Sequence, residues 1–192
     1  MVKNVAPILA FRTSKSWEDW LRKNHSRSAG VWLRLAKSAS GVRSVTYGEA
    51  LEAALCYGWI DGQKKSESEN AWLQRFILRK ERSVWSKVNR RKALALIESG
   101  RMQPAGLRAI ERAKANGHWE AAYDSPRTAT VPADLQAALD ASPRAKAFFV
   151  TLNSQNRYAV LYRIQTARKA ETRSKRIAQF VAMLGRHEKL HP

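Results

Sequence analysis

Between Thr46 and Arg79 the chain carries, in order, a helix start, a helix stop and a hairpin, and this run constrains the fold more than any other part of the sequence. Thr46-Tyr47-Gly48-Glu49 fits a capping box, in which the Thr hydroxyl and the Glu carboxylate satisfy each other's backbone amides, so a helix starts at Tyr47. Ala50, Leu51, Ala54 and Leu55 form its apolar stripe, and Gly58 suits the left-handed position that closes it. Residues 59–65 and 71–79 are strand-like, with Ser66-Glu67-Ser68-Glu69-Asn70 as the polar hairpin loop between them. In the second of these strands Trp72, Gln74, Phe76 and Leu78 oppose Leu73, Arg75, Ile77 and Arg79, so one face is greasy and the other is mixed with arginine.

The flanking segments extend the pattern on both sides. Phe11-Arg12 opens a short strand, and Ser16 is placed to cap a helix whose Trp17, Trp20 and Leu21 share a face. Gly30 introduces a strand in which Val31, Leu33 and Leu35 point one way and Trp32 and Arg34 the other, and the polar run Lys37 to Ser44 is a turn. Ser83 caps a helix through Ser99, closed by Gly100, and Pro104 opens another to about Asn116. Beyond a Ser/Pro/Thr-rich stretch at 123–131, helices follow from Pro132, Ser142-Pro143, Ser154 and Lys169. The second of these carries Ala145, Phe148, Phe149 and Leu152 at core spacing, and the last carries Ile177, Phe180, Val181 and Leu184. The expected fold class is α+β, an N-terminal mixed α/β unit with a small antiparallel sheet followed by a helical C-terminal unit. Its expected boundaries are 1–122 and 132–192, with 123–131 as linker.

With 44% hydrophobic residues in 192, the chain can build a core without staples. One cysteine, Cys56, excludes an internal disulfide and a Cys-cluster zinc site, and fits a reducing cytosol. Met1 to Ala10 has no long apolar stretch and no small-residue cleavage site, and nowhere do about 20 apolar residues run uninterrupted. The expectation is a cytoplasmic protein without a transmembrane segment. The 35 Lys+Arg against 16 Asp+Glu give +19, a field that attracts polyanions and repels cations. Residues 75–92 hold eight Lys/Arg and one acid, and residues 154–192 hold nine and two.

Several groups are candidates for chemistry. Costly aromatics and directed polar groups alternate around the hairpin, where Tyr57, Trp59, Trp72 and Trp85 offer flat surface and Asp61, Gln63, Arg75, Arg79 and Asn89 offer donors and acceptors. Asp61 can face Arg75 or Arg79 across the hairpin and orient a ligand, or it can simply fix the turn at Gly62. Arg101 lies just before a helix N-terminus, where it helps hold an anion, or Gly100 and Pro104 only punctuate two helices. Arg157, Arg163, Arg168, Lys169, Arg173, Lys175 and Arg176 interleave with Tyr158 and Tyr162 as in surfaces that hold phosphates and bases. The bland alternative is a Tyr/Leu packing stripe with a solvated basic back. Cys56 sits at a helix C-terminus, which raises a thiol's pKa and disfavours a nucleophile. His25, His118, His187 and His191 show no metal-ligand spacing beyond the i+4 pair His187/His191, and no phosphate loop or nucleophile elbow is present.

The blocks Ala50 to Gly62, Arg75-Phe76, Ser83-Val84-Trp85-Ser86-Lys87-Val88-Asn89, Gly100 to Gly106 and Glu171-Thr172-Arg173 resemble the YdeI/OmpD-associated family over nearly the whole chain. One departure is visible: that family tends to carry Thr-Pro after Arg75-Phe76, where this chain has Ile77-Leu78. The resemblance implies a bacteriocin-protection or antimicrobial-peptide-tolerance label, with no established reaction and no agreed catalytic residues. A +19 chain repels cationic peptides, so direct sequestration is disfavoured.

The reading that follows is a non-enzymatic binding or accessory protein with no cofactor and no metal. Its partner is a small anionic or aromatic ligand, or an anionic macromolecule. The pocket is expected between residues 59–62, strand 75–79 and the Ser83 helix, with Arg101 adding charge. Nucleic-acid binding by the basic helices is the first alternative. An enzyme using Asp61 or Cys56 is the second.

Overall fold

The computed structural model describes residues 6–192, so the reading of Met1 to Val5 lies outside the described residues. The chain forms two units, one from residues up to 83 together with 89–120, the other from 84–88 together with 121–192. The fold is α+β, with an N-terminal α/β unit followed by a helical C-terminal region.

The first unit is organised on four strands, β1 (Ile8–Ala10), β2 (Val31–Ala36), β3 (Trp59–Ser66) and β4 (Ala71–Leu78), in the order β1-β2-β4-β3. The hairpin β3–β4 and the pair β2–β4 are antiparallel, with Val31 opposite Phe76 and Leu35 opposite Trp72. The sheet is nevertheless mixed, because β1 joins β2 in parallel, a connection that needs a crossover; helix α1 (Ser14–Asn24) supplies it. The strand expected to open at Phe11-Arg12 instead ends just before it, at Ala10, and Thr13 rather than Ser16 is the N-cap: Ser16 serves as the reciprocal member of its capping box.

Helix α2 (Tyr47–Cys56) begins with the Thr46/Glu49 capping box and ends at Tyr57, with Gly58 at φ +73°. Trp17 of α1 donates Nε1–H to Ala50 O at 3.0 Å and packs its ring 5.7 Å from Phe76, which joins both helices to the inner sheet face. Val31, Leu33 and Leu35 are buried on that face as their alternation predicts, while Arg34 is exposed.

Helix α3 spans Lys87–Glu98 and α4 spans Pro104–Ala115. Ser83 does not cap α3. Its hydroxyl accepts from Lys80 N–H at 2.9 Å, and the helix starts only after Trp85 and Lys87 have paired with Tyr123 (Tyr123 N–H to Trp85 O 2.9 Å, Lys87 N–H to Tyr123 O 2.8 Å). The stretch expected as a linker therefore begins inside the second unit. That unit packs α5 (Ala133–Asp140), α6 (Pro143–Thr151), α7 (Ser154–Gln165) and α8 (Ala170–Gly185) around Leu135, Leu139, Phe149, Ile164, Phe180 and Leu184.

Among the described residues no helix is long and apolar enough to cross a membrane.

Candidate functional site

Within the first unit the residues singled out in the sequence do not converge. Trp59 has no exposed surface: its ring stands edge-on to Trp17 and Trp20, and its Nε1–H donates to His25 O at 3.1 Å. It is a core indole, because β3 enters the sheet directly beneath α1. Tyr57 is likewise buried beside His25, and burial raises its phenol pKa. Arg79 is 4% exposed and donates its backbone N–H to Gly58 O at 3.0 Å, fixing the exit of the hairpin. Arg75 lies over Trp32 at 5.5 Å, and since cross-strand partners share a face, both stand opposite the face of Trp72, Gln74 and Phe76.

Asp61 faces neither arginine. It accepts a hydrogen bond from Tyr47 Oη at 2.8 Å, because the register shift between Asp61 and Lys64 turns this part of β3 towards the start of α2. Gln63 is exposed, and its carbonyl accepts from the Gln74 side chain at 3.2 Å. Arg101 turns back to Glu52 on α2 at 3.3 Å, where Lys92 also binds at 2.9 Å. Both cations, Lys92 first, hold the Glu52 carboxyl below its ordinary range. Asn89 is buried on α3. Trp85 belongs to the second unit and is buried.

What the first unit does form is an open hollow of about 780 Å³, at the end of the inner sheet face that α1 and α2 leave uncovered. Leu35 of β2, Trp72 of β4 and Lys64 and Ser66 of β3 make its floor, Thr46 and Tyr47 one side, and the loop Lys37 to Ser44 the other. Tyr47 and Trp72 meet at 5.9 Å with ring planes at 46°, and the Lys64 ammonium sits 4.3 Å from the Trp72 ring. The Tyr47–Asp61 bond pins the phenol so that its ring flanks the hollow. Lys37 donates to Ser68 O at 3.0 Å, whereas Arg43 makes no hydrogen bond or ion pair among the described residues. Three cations and two aromatic rings thus line a space with no carboxylate among its lining side chains. A smaller hollow of about 280 Å³, apolar and edged by Phe11 and Asn70, shares Val42, Arg43 and Ser44 with it.

Sequence reading found Trp72 and, through Asp61, the neighbour of Tyr47. It missed Lys37, Arg43, Tyr47 and Lys64. The signal lay in the period-2 register: Leu35 and Trp72 alternate onto the same face at the ends of their strands, and the cationic turn 37–44 follows Leu35 directly.

Residues 9–109, more than half of the chain, match the family model described as "Domain of unknown function (DUF8412)". The chain belongs to that family. Residues 128–187 match a second model, "Bacteriocin-protection, YdeI or OmpD-Associated", and so carry the YdeI/OmpD-associated relationship that the sequence suggests. The division is sharper than the resemblance implied. The blocks at 50–62, 75–76, 83–89 and 100–106 all fall within the DUF8412 segment, and only Glu171-Thr172-Arg173 falls in the YdeI/OmpD-associated one. No curated protein and no solved structure matches the chain. The hollow, built from residues 35–72, lies wholly inside the DUF8412 segment.

In the YdeI/OmpD-associated segment the basic residues are largely engaged internally. Arg173 grips Asp134 with two nitrogens (2.5 and 2.8 Å) and donates to Ile164 O at 3.0 Å. Arg163 donates to Ala159 O, Arg176 to Arg163 O, and Arg157 lies 4.7 Å from the Phe149 ring. Tyr158 and Tyr162 pack against one another at 5.9 Å, and burial pushes the Tyr158 phenol up to about 12 while its hydroxyl donates to Asp124 O. Both rings are half-buried. Arg168, Lys169 and Lys175 are exposed.

Cys56 is buried, and burial pushes its thiol up to about 11. Among the described residues no group of three or more His, Cys, Asp or Glu side chains is arranged to hold a metal ion.

Proposed function

We propose that this chain is a non-enzymatic binding protein whose site is the hollow of its DUF8412 segment, holding a small ligand that joins an anionic group to a flat apolar body. The observation that carries this reading is the lining: Lys37, Arg43 and Lys64 with Tyr47 and Trp72 around about 780 Å³, and no carboxylate among them. Such a rim attracts anions, the rings supply surface for a flat body, and the volume lies within the range of about 300–1,000 Å³ typical of ligand pockets.

The YdeI/OmpD-associated segment supports an accessory role in tolerance of antimicrobial peptides or envelope stress. With a net charge of +19 the protein acts indirectly, through its ligand or an anionic partner, rather than by capturing cationic peptides. The single cysteine, buried as a thiol, fits a cytoplasmic setting.

Titration of the ¹⁵N-labelled protein with 2-naphthoate tests the site. The Trp72 indole N–H and the backbone amides of Tyr47 and Lys64 are expected to shift together and saturate. Saturable shifts confined to other regions, or none at these three residues, would overturn the reading.

A further inference from the structure

Resting on that reading of the hollow, we propose that its ligand is a phosphate ester of a planar ring, the class to which mononucleotides and aryl phosphates belong. Three cations with no lining carboxylate exceed what a single carboxylate would call for, whereas a phosphate monoester carries about −1.5 to −2 at neutral pH. The acids bonded to lining residues are already committed: Asp61 accepts from Tyr47 Oη, and Glu49 is closed into the α2 capping box with Thr46.

Arg43 is the cation best placed to fix a phosphate. It is exposed and makes no hydrogen bond or ion pair among the described residues, and its planar fork matches a pair of phosphate oxygens in a way that an ammonium does not. Lys37 and Lys64 are held by contacts that an anion readily replaces, one carbonyl at 3.0 Å and one ring face at 4.3 Å.

The ring half of the ligand follows from the same pair. A planar ring that takes the place of Lys64 on Trp72 releases that ammonium to the phosphate, so the two halves of the ligand bind cooperatively through one side-chain movement. Tyr47, tilted at 46° and anchored through its hydroxyl, closes the corner against the edge of that ring. A bare inorganic anion uses only the cationic half and leaves most of the 780 Å³ unfilled.

The test compares dissociation constants for phenyl phosphate, adenosine 5′-monophosphate, benzoate and inorganic phosphate, read from the Trp72 indole resonance at one ionic strength. At least one of the two phosphate esters is expected to bind at least about fivefold more tightly than both benzoate and inorganic phosphate. Arg43→Ala, an exposed position whose loss leaves the fold intact, is expected to weaken the esters about three- to tenfold and benzoate by less. A tighter hold on the nucleotide assigns the site to nucleotides, and a tighter hold on phenyl phosphate assigns it to aryl phosphates. If benzoate binds as well as the esters, or if Arg43→Ala weakens benzoate and esters alike, the phosphate assignment is overturned while the anion site stands. Equal binding of inorganic phosphate overturns the ring half. Failure of all four probes where 2-naphthoate saturates overturns this proposal alone, and failure of 2-naphthoate as well removes the site itself.

Discussion

Gly106 stands against the carbonyl oxygens of Cys56 and Leu55: a Cβ at this position would meet Cys56 O well inside contact and Leu55 O at 2.8 Å. The first turn of α4 thereby reaches the last carbonyls of α2, where Gln103 N–H already donates to Cys56 O at 3.2 Å. Alanine normally gains about 1 kcal/mol over glycine inside a helix. Here the clash with backbone dominates, and Gly106→Ala is expected to lose about 1–3 kcal/mol, measured by urea denaturation. An unchanged or raised midpoint would show that α4 can move away freely.

Cys56 sits at this same junction and is expected to be inert in the folded protein. Its thiol, pushed up to about 11 by burial, stays protonated at pH 8, so an aromatic disulfide reagent should label it only after denaturation. The unfolded chain releases the proton first as pH rises. The stabilising effect is therefore complete below the ordinary value of 9.0 and falls away as pH climbs towards 11. Cys56→Ala should flatten that part of the pH–stability curve.

Glu52 predicts the opposite limb. Lys92 and then Arg101 depress its pKa, so its contribution is present above the unfolded value of 4.5 and is lost as pH falls below it. About a third of the Glu52 and Lys92 side chains remains in solvent, which limits the effect to roughly 0.5–1 kcal/mol. Glu52→Gln should cost that much at pH 7 and almost nothing at pH 3, by thermal denaturation at the two pH values.

These particulars separate what the sequence made legible from what it did not. The capping box at Thr46, the stop at Gly58 and the hairpin were readable because each is fixed by residues within a few positions of one another. The parallel seat of β1 and the late start of α3 were not. The first depends on a crossover, and the second on Tyr123 pairing with Trp85, far along the chain. The hollow was not anticipated for a related reason. Aromatic and charged residues close in sequence suggested a pocket, but alternation in the strands sends Arg75 and Trp72 to opposite faces, and Trp59 is drawn into the core by Trp17 and Trp20. The lining of the hollow comes instead from the ends of three strands and the polar turn 37–44, which the sequence marks as a turn but not as part of a site.

Arg173 is expected to behave as a strut between α8 and α5 rather than as a free cation. Its two hydrogen bonds to the Asp134 carboxylate and its hydrogen bond to Ile164 O hold three helices, and it keeps the Asp134 carboxyl below the ordinary range. Arg173→Ala should destabilise the helical unit by about 1 kcal/mol, the exposed half of Asp134 being screened. Arg173→Lys should recover only part, since an ammonium cannot bind both oxygens in plane. Lys169→Ala and Lys175→Ala, both at exposed positions, should leave the urea midpoint within about 0.5 kcal/mol of the parent.

The two faces of the sheet give the sharpest discrimination between binding residues. Lys64 lies over Trp72 inside the hollow, whereas Arg75 lies over Trp32 on the opposite face, one register position away. A neutral residue at 64 removes one of three cations around the anion, and a neutral residue at 75 removes none. Lys64→Ala should therefore weaken 2-naphthoate by about three- to tenfold, and Arg75→Ala should leave its dissociation constant unchanged within about twofold. The same indole titration reads both variants. Equal losses in the two would mean that the anion is attracted by the overall field of the protein and not by the geometry of the hollow.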